Sequence, residues 1–391
     1  MPICADKLDR DCGTRVGLIG LEGGDKRLAV CELSAKLSAT GDNYQRLGVS
    51  VNRKSFFWVG PFALLSLISI GAQPATAAQA KHHAKKAVYS RERSQSRKTT
   101  LARARAVAMA REMADTAVPR YKVDASGELV PDLRAAAAII YNPETNQVLW
   151  EENSQSQRSI ASITKMMTAV VFLENNPDTS QFVTIAHSDV FQASTTHLRL
   201  NDKVTADDLL HLLLIASDNA AARALARVSP YGTDGFIRRM NEKAEELGLQ
   251  NTQYADPSGL LSENVSSAYD MARLITYVAG DDRIASIMRT YEYTVYTKNL
   301  RPHPITFHST NHLLGRSDVD VRAGKTGFIS KAGYCLATML RLPQGSGGQE
   351  VAVIVLGARS NAGRFMETQN LFNWLSSRAQ TVFAAKPQQQ Q

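Results

Sequence analysis

Residues 159–169 read SIASITKMMTA and place Ser162 and Lys165 three positions apart, just ahead of an apolar run. The run predicts a helix from about Ser162 to Leu173, ended by the Asn-Asn-Pro segment at 175–177. Residues three apart on a helix share a face, so the hydroxyl and the amine can form a hydrogen bond. A serine nucleophile needs a base, and a lysine serves when burial or a second cation lowers its pKa. About one such pair is expected by chance in a chain of this length, so the pair alone is weak evidence.

Two further short motifs lie downstream in contexts that suit a catalytic cleft. Residues 217–219, Ser-Asp-Asn, follow the apolar run LLHLLLIA, so they are predicted where a buried helix ends. Residues 325–327, Lys-Thr-Gly, lie on a predicted strand, where Gly327 permits close approach of another backbone and Thr326 offers a hydroxyl to a carboxylate. Lys325 supplies the second cation that the first pair needs. A Lys-Thr-Gly triplet is expected only about 0.1 times in such a chain, so three motifs in this order are hard to attribute to chance.

The basic residues are concentrated outside the region that carries the motifs. The 391 residues include 45 Lys or Arg and 37 Asp or Glu, a formal net charge of +8. Residues 51–130 carry 14 basic and 5 acidic side chains, whereas residues 131–391 carry 24 and 25. The basic excess therefore precedes the motif-bearing part, which argues against a nucleic-acid-binding fold.

The N-terminal part contains a pattern typical of a secretory signal. An apolar stretch at 56–72 follows an Arg-Lys pair and precedes small residues, which predicts a signal peptide over 51–77, cleavage after Ala77 and a periplasmic location. A transmembrane anchor is the alternative, although 17 residues with a Gly-Pro pair make a poor span. Such signals normally start within a few residues of the N-terminus, so residues 1–50 are interpreted as a doubtful extension from a wrong start.

The remaining chain divides by composition into three parts. Residues 78–130 are basic and poor in large apolar side chains, which predicts a disordered tether that could contact an anionic wall or membrane surface. Residues 131–378 alternate strand-like and helical patterns, with strands at both ends and helices between, and residues 379–391 form a polar tail. The predicted fold class is α/β, of the α+β type: an antiparallel sheet flanked by helices, with a mostly helical subdomain.

Taken together, the motifs resemble those of a known family, the serine DD-peptidases among the low-molecular-mass penicillin-binding proteins. That family carries Ser-x-x-Lys, Ser-x-Asn and Lys-Thr-Gly motifs. The matching residues here are Ser162 with Lys165, Ser217 with Asn219, and Lys325 to Gly327. The flanking segments ASITKMMTA, DPSGL, SSAYDMARL and AGYC are similar to the carboxypeptidase and endopeptidase group, over about residues 131–378. The resemblance implies a β-lactamase/transpeptidase-like fold.

The resemblance also implies an acyl-enzyme reaction on peptidoglycan stem peptides, with no cofactor and no metal. Ser162 would attack the carbonyl between two D-residues, Lys165 would remove its proton, and Ser217 would relay a proton to the leaving amine. β-Lactam antibiotics would act as covalent inhibitors. Six further residues are assigned by the resemblance to substrate binding: Asn219, Lys325, Thr326, Gly327, Phe328 and Arg364.

Within that set, the resemblance distinguishes two tasks. The backbone N–H groups of Ser162 and Phe328 would form the oxyanion hole, and Asn219 would hold the substrate amide. Lys325 and Thr326 would bind the terminal carboxylate. For Arg364, in the segment NAGRF, a place near that carboxylate and a simple helix-capping role both stay open.

Two other functions compete with the DD-peptidase interpretation. A class A β-lactamase needs a Glu-x-x-Leu-Asn segment between the second and third motifs, and the region LGLQNTQYADPSGLLSEN lacks it. Penicillin is therefore expected to inhibit rather than to be hydrolysed. A non-catalytic peptidoglycan-binding scaffold would predict damaged motifs, but all three are intact. The 66 residues after Lys325 leave no room for a further domain, which favours the shorter endopeptidase subgroup.

Two other local patterns in the sequence resemble functional motifs. Residues 309–311 form another Ser-x-Asn, interpreted as a structural turn because relatives carry a similar TNHL stretch there. His303, His308 and His312 lack the His-Glu-x-x-His spacing of a zinc site, so no metal is predicted.

Overall fold

The computed structural model describes residues 99–111, 114, 116–343 and 348–384. The predicted extension and signal peptide, the tether up to residue 98 and the tail from residue 385 lie outside the described residues. Within the described part, no helix is both long and apolar enough to cross a membrane.

A five-stranded antiparallel sheet forms the centre of the domain, in the order β11-β12-β13-β3-β4. Its strands are β3 (Ala137–Asn142), β4 (Gln147–Glu152), β11 (Asp320–Ile329), β12 (Gly333–Arg341) and β13 (Glu350–Ala358). The N-terminal hairpin β3–β4 joins the C-terminal strands through the pairing of β13 with β3. The predicted antiparallel sheet built from both ends of the domain is confirmed.

The two faces of this sheet pack against different helices. Side chains alternate between faces along a strand. Ile139 and Ile354 accordingly belong to one apolar core, and their neighbours Ile140 and Val353 belong to the other. The helix α7 (Ala268–Ala279) packs on the first face and α9 (Asn361–Ala384) on the second. Because β3 and β13 are buried on both faces, they read as continuous apolar runs rather than alternating ones.

The mostly helical subdomain lies between β4 and β11 in the chain. Its helices, together with the 3₁₀ turn η1, are η1 (Ala161–Thr164), α2 (Lys165–Leu173), α3 (His187–Val190), α4 (Ala206–Leu214), α5 (Asn219–Val228), α6 (Gly232–Glu246), α7 and α8 (Asp282–Met288). All nine residues of α2 are buried, since α4, α5, α6 and α7 surround it. The helix that begins with Lys165 therefore has no solvent-exposed face.

Short paired strands connect these helices. The pairs are β1 (Tyr121–Val123) with β2 (Leu129–Pro131), β5 (Arg158–Ser159) with β8 (Val265–Ser266), β6 (Phe182–Thr184) with β7 (Lys203–Thr205), and β9 (Glu292–Tyr296) with β10 (Pro304–His308).

Capping side chains define where the helices α4 and α5 begin. Thr205 accepts a hydrogen bond from Asp208 N at 3.0 Å at the start of α4. Asp218 accepts from Ala221 N at 3.0 Å at the start of α5. Each cap satisfies a backbone N–H that has no partner within its helix, an effect worth about 1 kcal/mol. The cap on α5 is also the middle residue of the second motif, so helix formation and site construction use the same side chain.

The structure differs from the sequence prediction at both ends of the domain. The prediction of a disordered tether is wrong for residues 121–130, because they belong to the β1–β2 hairpin, which spans Tyr121–Pro131. Residues 99–111 form the exposed helix α1, in an Ala-rich segment whose composition is compatible with a helix. Trp374 Nε1 donates to Leu129 O at 3.4 Å, so the last helix gives the hairpin a surface to pack on. The polar tail does not begin at 379, because α9 continues to Ala384. The sequence pattern missed these contacts because they join distant segments.

Candidate active site

The three sequence motifs meet at one cleft of about 540 Å³ between the sheet edge and the helical subdomain. Seven of the nine residues predicted for the site line it: Ser162, Ser217, Asn219, Thr326, Gly327, Phe328 and Arg364. The other two, Lys165 and Lys325, are almost completely buried and lie next to these lining residues. Residues 54 and 108 positions apart in the chain are in hydrogen-bond contact there.

Ser162 lies on a tight backbone turn formed by residues 160–163, the serine turn. The predicted α-helix start is wrong by one turn, because η1 precedes α2 and the α-helix begins only at Lys165. Ala161 has φ of 50°, a conformation that costs free energy for a residue with a side chain. The turn therefore stores local strain directly before the serine.

Two glycines let other backbone segments hold the serine turn. A Cβ atom on Gly327 would lie 2.6 Å from Ile160 O and 3.2 Å from Ser162 N, so only glycine lets β11 pass this close. The close approach predicted at Gly327 is confirmed. On the other side, Gly259 has φ of +78°, and a Cβ there would collide with the carbonyl of Ala161.

Lys165 is held by three oxygen atoms in a site closed to water. Its Nζ donates to Ser162 Oγ at 2.9 Å, to Asn219 Oδ1 at 2.6 Å and to Ser258 O at 2.5 Å. Burial lowers the pKa of Lys165 to about 7, although the charges of Asp256 and Asp218 oppose that fall. An amine that titrates near neutral pH and contacts a serine hydroxyl can take its proton.

Ser217 and Asn219 lie at the break between α4 and α5. Ser217 has φ of 60°, which turns the chain sharply before Asp218 caps α5. Asn219 Nδ2 donates to Ala193 O at 2.7 Å, and its Oδ1 accepts from Lys165. Asn219 therefore connects the first motif to the loop at Ala193, whose next residues, Ser194 and Thr195, line the cleft.

Lys325 links the second motif to the third. Its Nζ donates to Ser217 Oγ at 2.8 Å and to Thr326 O at 3.1 Å. Burial lowers its pKa well below the ordinary lysine value, and the nearby charges of Lys165 and Arg364 lower it further. Each of the two buried lysine amines thus forms a hydrogen bond with a serine hydroxyl.

The hydroxyl of Thr326 pairs with that of Thr310, a residue the sequence motifs did not identify. The two Oγ1 atoms are 2.6 Å apart, and Thr310 also lines the cleft. Its neighbour Asn311 is buried and accepts from Leu313 N at 3.1 Å, as a structural turn would require. The Ser-x-Asn at 309–311 therefore combines a structural turn with one residue that faces the cleft, and no local pattern distinguishes that residue.

Arg364 reaches the cleft from the first turn of α9. It is 6% exposed and its Nη1 donates to Gly327 O at 3.0 Å and Cys335 O at 3.2 Å, while Nη2 donates to Asn361 Oδ1 at 2.5 Å. Burial lowers its pKa to about 10, so it stays a cation at neutral pH. Of the two roles left open by the sequence, the geometry puts the guanidinium beside the third motif.

Phe328 follows the third motif and is 49% exposed at the cleft. Its ring stacks on Tyr334 of the neighbouring strand, with ring centroids 4.2 Å apart. The side chain thus points out of the core while its backbone continues β11 past the serine turn.

A comparison of the sequence with protein families finds one whose description is D-alanyl-D-alanine carboxypeptidase, a group of serine peptidases, matched by residues 124–360. The chain belongs to this family. The expectation of a serine hydrolase of the DD-peptidase type is thereby confirmed.

Curated relatives of this DD-peptidase carry two names. The D-alanyl-D-alanine endopeptidase of Escherichia coli is 32% identical over 249 residues, which cover 63% of this chain and 79% of the relative. That of Pseudomonas aeruginosa is 32% identical, covering 66% and 82%. The D-alanyl-D-alanine carboxypeptidase DacF of Bacillus subtilis is 28% identical and covers 63% of each chain.

Solved structures similar to this DD-peptidase have the predicted fold. A Streptomyces DD-transpeptidase is 28% identical with a TM-score of 0.58, over 65% of this chain and 98% of that one. A penicillin-binding protein of Listeria monocytogenes, solved in its cefotaxime-bound form, is 28% identical with a TM-score of 0.53, over 62% and 97%.

The three histidines at positions 303, 308 and 312 have different partners in this DD-peptidase. His303 is near Asp202, His308 pairs with Glu292 at 3.0 Å, and His312 stacks on Phe365. Among the described residues, no group of three or more His, Cys, Asp or Glu side chains could hold a metal ion.

Proposed function

We propose that this protein hydrolyses peptide bonds of peptidoglycan stem peptides through an acyl-enzyme on Ser162, and that it prefers crosslinks to terminal D-alanine. The observation that carries the proposal is the contact of Lys165 Nζ with Ser162 Oγ at 2.9 Å, made by an amine whose pKa is about 7. A neutral lysine in this position takes the hydroxyl proton as the oxygen attacks the scissile carbonyl.

The oxyanion formed by this attack is stabilised by the backbone N–H groups of Ser162 and Phe328. Support comes from Gly327, whose lack of a side chain brings β11 directly beside Ser162 N. Backbone donors fixed in this way need no reorganisation when negative charge develops, which is the source of their effect on rate.

Departure of the amine requires a proton, which Ser217 relays. Its hydroxyl contacts Lys325 Nζ at 2.8 Å and lines the same cleft as Ser162. Asn219 positions the substrate amide from the same wall. Water then hydrolyses the acyl-enzyme and regenerates the serine.

The substrate carboxylate binds where the cleft is most basic. Lys325, Arg364 and the hydroxyl of Thr326 lie at that end. The hydroxyl of Thr310 forms a hydrogen bond with the hydroxyl of Thr326 and orients it. The neighbouring charges that shift the pKa of Lys325 are those of Lys165 and Arg364, both positive. An entering carboxylate supplies the negative charge that Lys325 lacks.

The preference for crosslinks is supported by the relatives. The chain covers 79% and 82% of two D-alanyl-D-alanine endopeptidases but 63% of the carboxypeptidase DacF. β-Lactams acylate the same serine and leave slowly, as suggested by the cefotaxime-bound relative and by the missing Glu-x-x-Leu-Asn segment.

The substrate class also implies a compartment. Peptidoglycan lies outside the inner membrane, so the proposed site of action is the periplasm, reached through the signal at 51–77. The basic residues of 78–111 are proposed to bind an anionic wall or membrane surface.

Digestion of purified muropeptides tests the proposal. Crosslinked dimers and uncrosslinked pentapeptide monomers are incubated with native enzyme and with Ser162→Ala, and the products are separated by mass. Release of monomers from dimers indicates endopeptidase activity, and loss of terminal D-alanine indicates carboxypeptidase activity. The alanine variant should produce neither, and activity in that variant would refute the assignment of the nucleophile.

A further inference from the structure

The loop of residues 256–261 forms the wall behind the serine turn and turns its carbonyl groups towards α2. Lys165 Nζ donates to Ser258 O at 2.5 Å, and Thr168 Oγ1 donates to Pro257 O at 2.6 Å. Both acceptors lie about 90 positions away from their donors in the chain. The orientation of the lysine therefore depends on the shape of this loop.

Asp256 holds the loop in shape from inside. Its carboxylate accepts from Ser258 N at 2.9 Å, Leu261 N at 3.1 Å and Asn264 Nδ2 at 2.5 Å, and it is also bonded by the Ser258 hydroxyl. The carbonyl of Asn264 accepts from Ile160 N at 3.1 Å. One carboxylate thus braces both the carbonyl that contacts Lys165 and the residue that begins the serine turn.

Asp256 is ionised in this position. Burial raises its pKa, but the hydrogen bonds from Ser258, Leu261 and Asn264 outweigh burial and hold the pKa below the ordinary value. A negative charge therefore lies close to the buried amine at every pH at which the enzyme would work.

We propose that Asp256 is a positioning residue for the DD-peptidase reaction: it holds the Ser258 carbonyl against Lys165 Nζ and supplies a fixed negative charge beside the amine. The carboxylate itself does not line the cleft. The inference rests on the proposed function, because it takes Lys165 as the group that accepts the proton of Ser162.

The charges around Lys165 determine what loss of Asp256 does. Burial is the largest effect and lowers the pKa of Lys165; Asp256 and Asp218 raise it, and Arg223 lowers it. The second buried amine, Lys325, lies near as well. Removing the charge of Asp256 leaves Asp218 alone to oppose burial and the cations, so the pKa of Lys165 falls.

The test measures acylation by a fluorescent penicillin from pH 5 to pH 9 in native enzyme and in Asp256→Asn. The substitution removes the charge with little change in volume. The rate should fall roughly tenfold at high pH, as expected for a displaced base. The midpoint of the acid limb should move down by about one unit, the direction expected when an opposite charge is removed.

Two controls separate positioning from general support of the loop. Ser258→Ala removes one bond to the carboxylate but keeps the charge and the carbonyl, so its midpoint should stay at the native value. Asp270→Asn alters another buried carboxylate, which accepts from Asn251 N at 2.7 Å and Thr252 Oγ1 at 2.8 Å and does not shift the pKa of Lys165. Its midpoint should also be unchanged.

A uniform loss of rate in Asp256→Asn, with the native midpoint, would overturn the inference and assign the residue a purely structural role. Thermal unfolding monitors the fold, and Asp256→Ser serves as the second uncharged variant, because a serine hydroxyl is able to accept from a backbone N–H two residues further on. Failure of the proposed function looks different: native enzyme itself would carry no label on Ser162.

Discussion

The two buried lysines of the cleft lie in different electrostatic surroundings, although neither is more than 1% exposed. Lys165 faces Asp256 and Asp218, whose charges limit the effect of burial, and its pKa is about 7. Lys325 faces Lys165 and Arg364, and its pKa lies well below the ordinary lysine value. Burial thus acts on both amines alike, and neighbouring charges decide which one titrates near neutral pH.

The difference indicates that Lys165 and Lys325 have different roles in the cleft. The side of Lys165 contains its own counter-charges, so its protonation state does not depend on a ligand. The side of Lys325 is deficient in negative charge, and an entering carboxylate would raise the pKa of Lys325 towards its ordinary value. The first arrangement suits a base, and the second suits a site that recognises an anion.

Replacing Lys165, the proposed base, should have the largest effect and tests directly whether the two lysines differ in role. Lys165→Arg keeps a cation, but a guanidinium does not lose its proton near neutral pH. Acylation by a fluorescent penicillin should therefore slow by roughly 10³-fold, within the usual range for loss of a general base. The exposed substitution Lys122→Arg is the control and should change nothing. A Lys165→Arg rate within tenfold of native would contradict the assignment.

Replacing the cation on the other side should have a smaller and selective effect. Arg364→Gln should reduce hydrolysis of a peptide ending in a D-Ala-D-Ala carboxylate by roughly 10- to 100-fold, the usual value of a hydrogen bond to a charged group. The C-terminal amide of the same peptide is the control, because it has no charge to lose. Equal losses for acid and amide would mean that Arg364 acts only through the carbonyls of Gly327 and Cys335.

The pH dependence of the acylation rate tests the protonation of Lys165 without any substitution. Below its pKa of about 7 the amine binds a proton and can no longer accept one, so the acylation rate falls as the pH falls. Between pH 8 and pH 6 the neutral fraction, and with it the rate, should decrease about tenfold. A stopped-flow profile that is flat over this range would show that the amine is not the titrating group.

The smallest expected effect comes from Arg223, which lowers the pKa of Lys165. Arg223→Gln should raise that pKa by less than one unit, and so reduce the rate at pH 6 by about twofold while leaving the rate at pH 9 unchanged. The direction is opposite to that expected for Asp256→Asn. If the midpoints of the pH–rate profiles of both variants moved in the same direction, the electrostatic explanation would be wrong.

Local sequence patterns predicted the strands and the close backbone contact, because these features are set by residues near one another in the chain. The alternation and apolar runs in β3, β12 and β13 reflect a sheet buried on both faces, and the glycine at 327 marks the close contact of two backbones. The N-terminal boundary was missed because the β1–β2 hairpin is short, largely exposed and stabilised by α9 far along the chain.

The sequence by itself determined the three motifs, their order and the kind of chemistry they support, because each motif is a run of only three or four residues that lies within one short local structure. Only the tertiary structure decided that Ser258 would hold Lys165, that Thr310 would pair with Thr326, and that Arg364 would reach the third motif. These contacts join residues 16 to 93 positions apart. A pKa depends on burial and on charges brought together from such distances, so no local pattern can encode it.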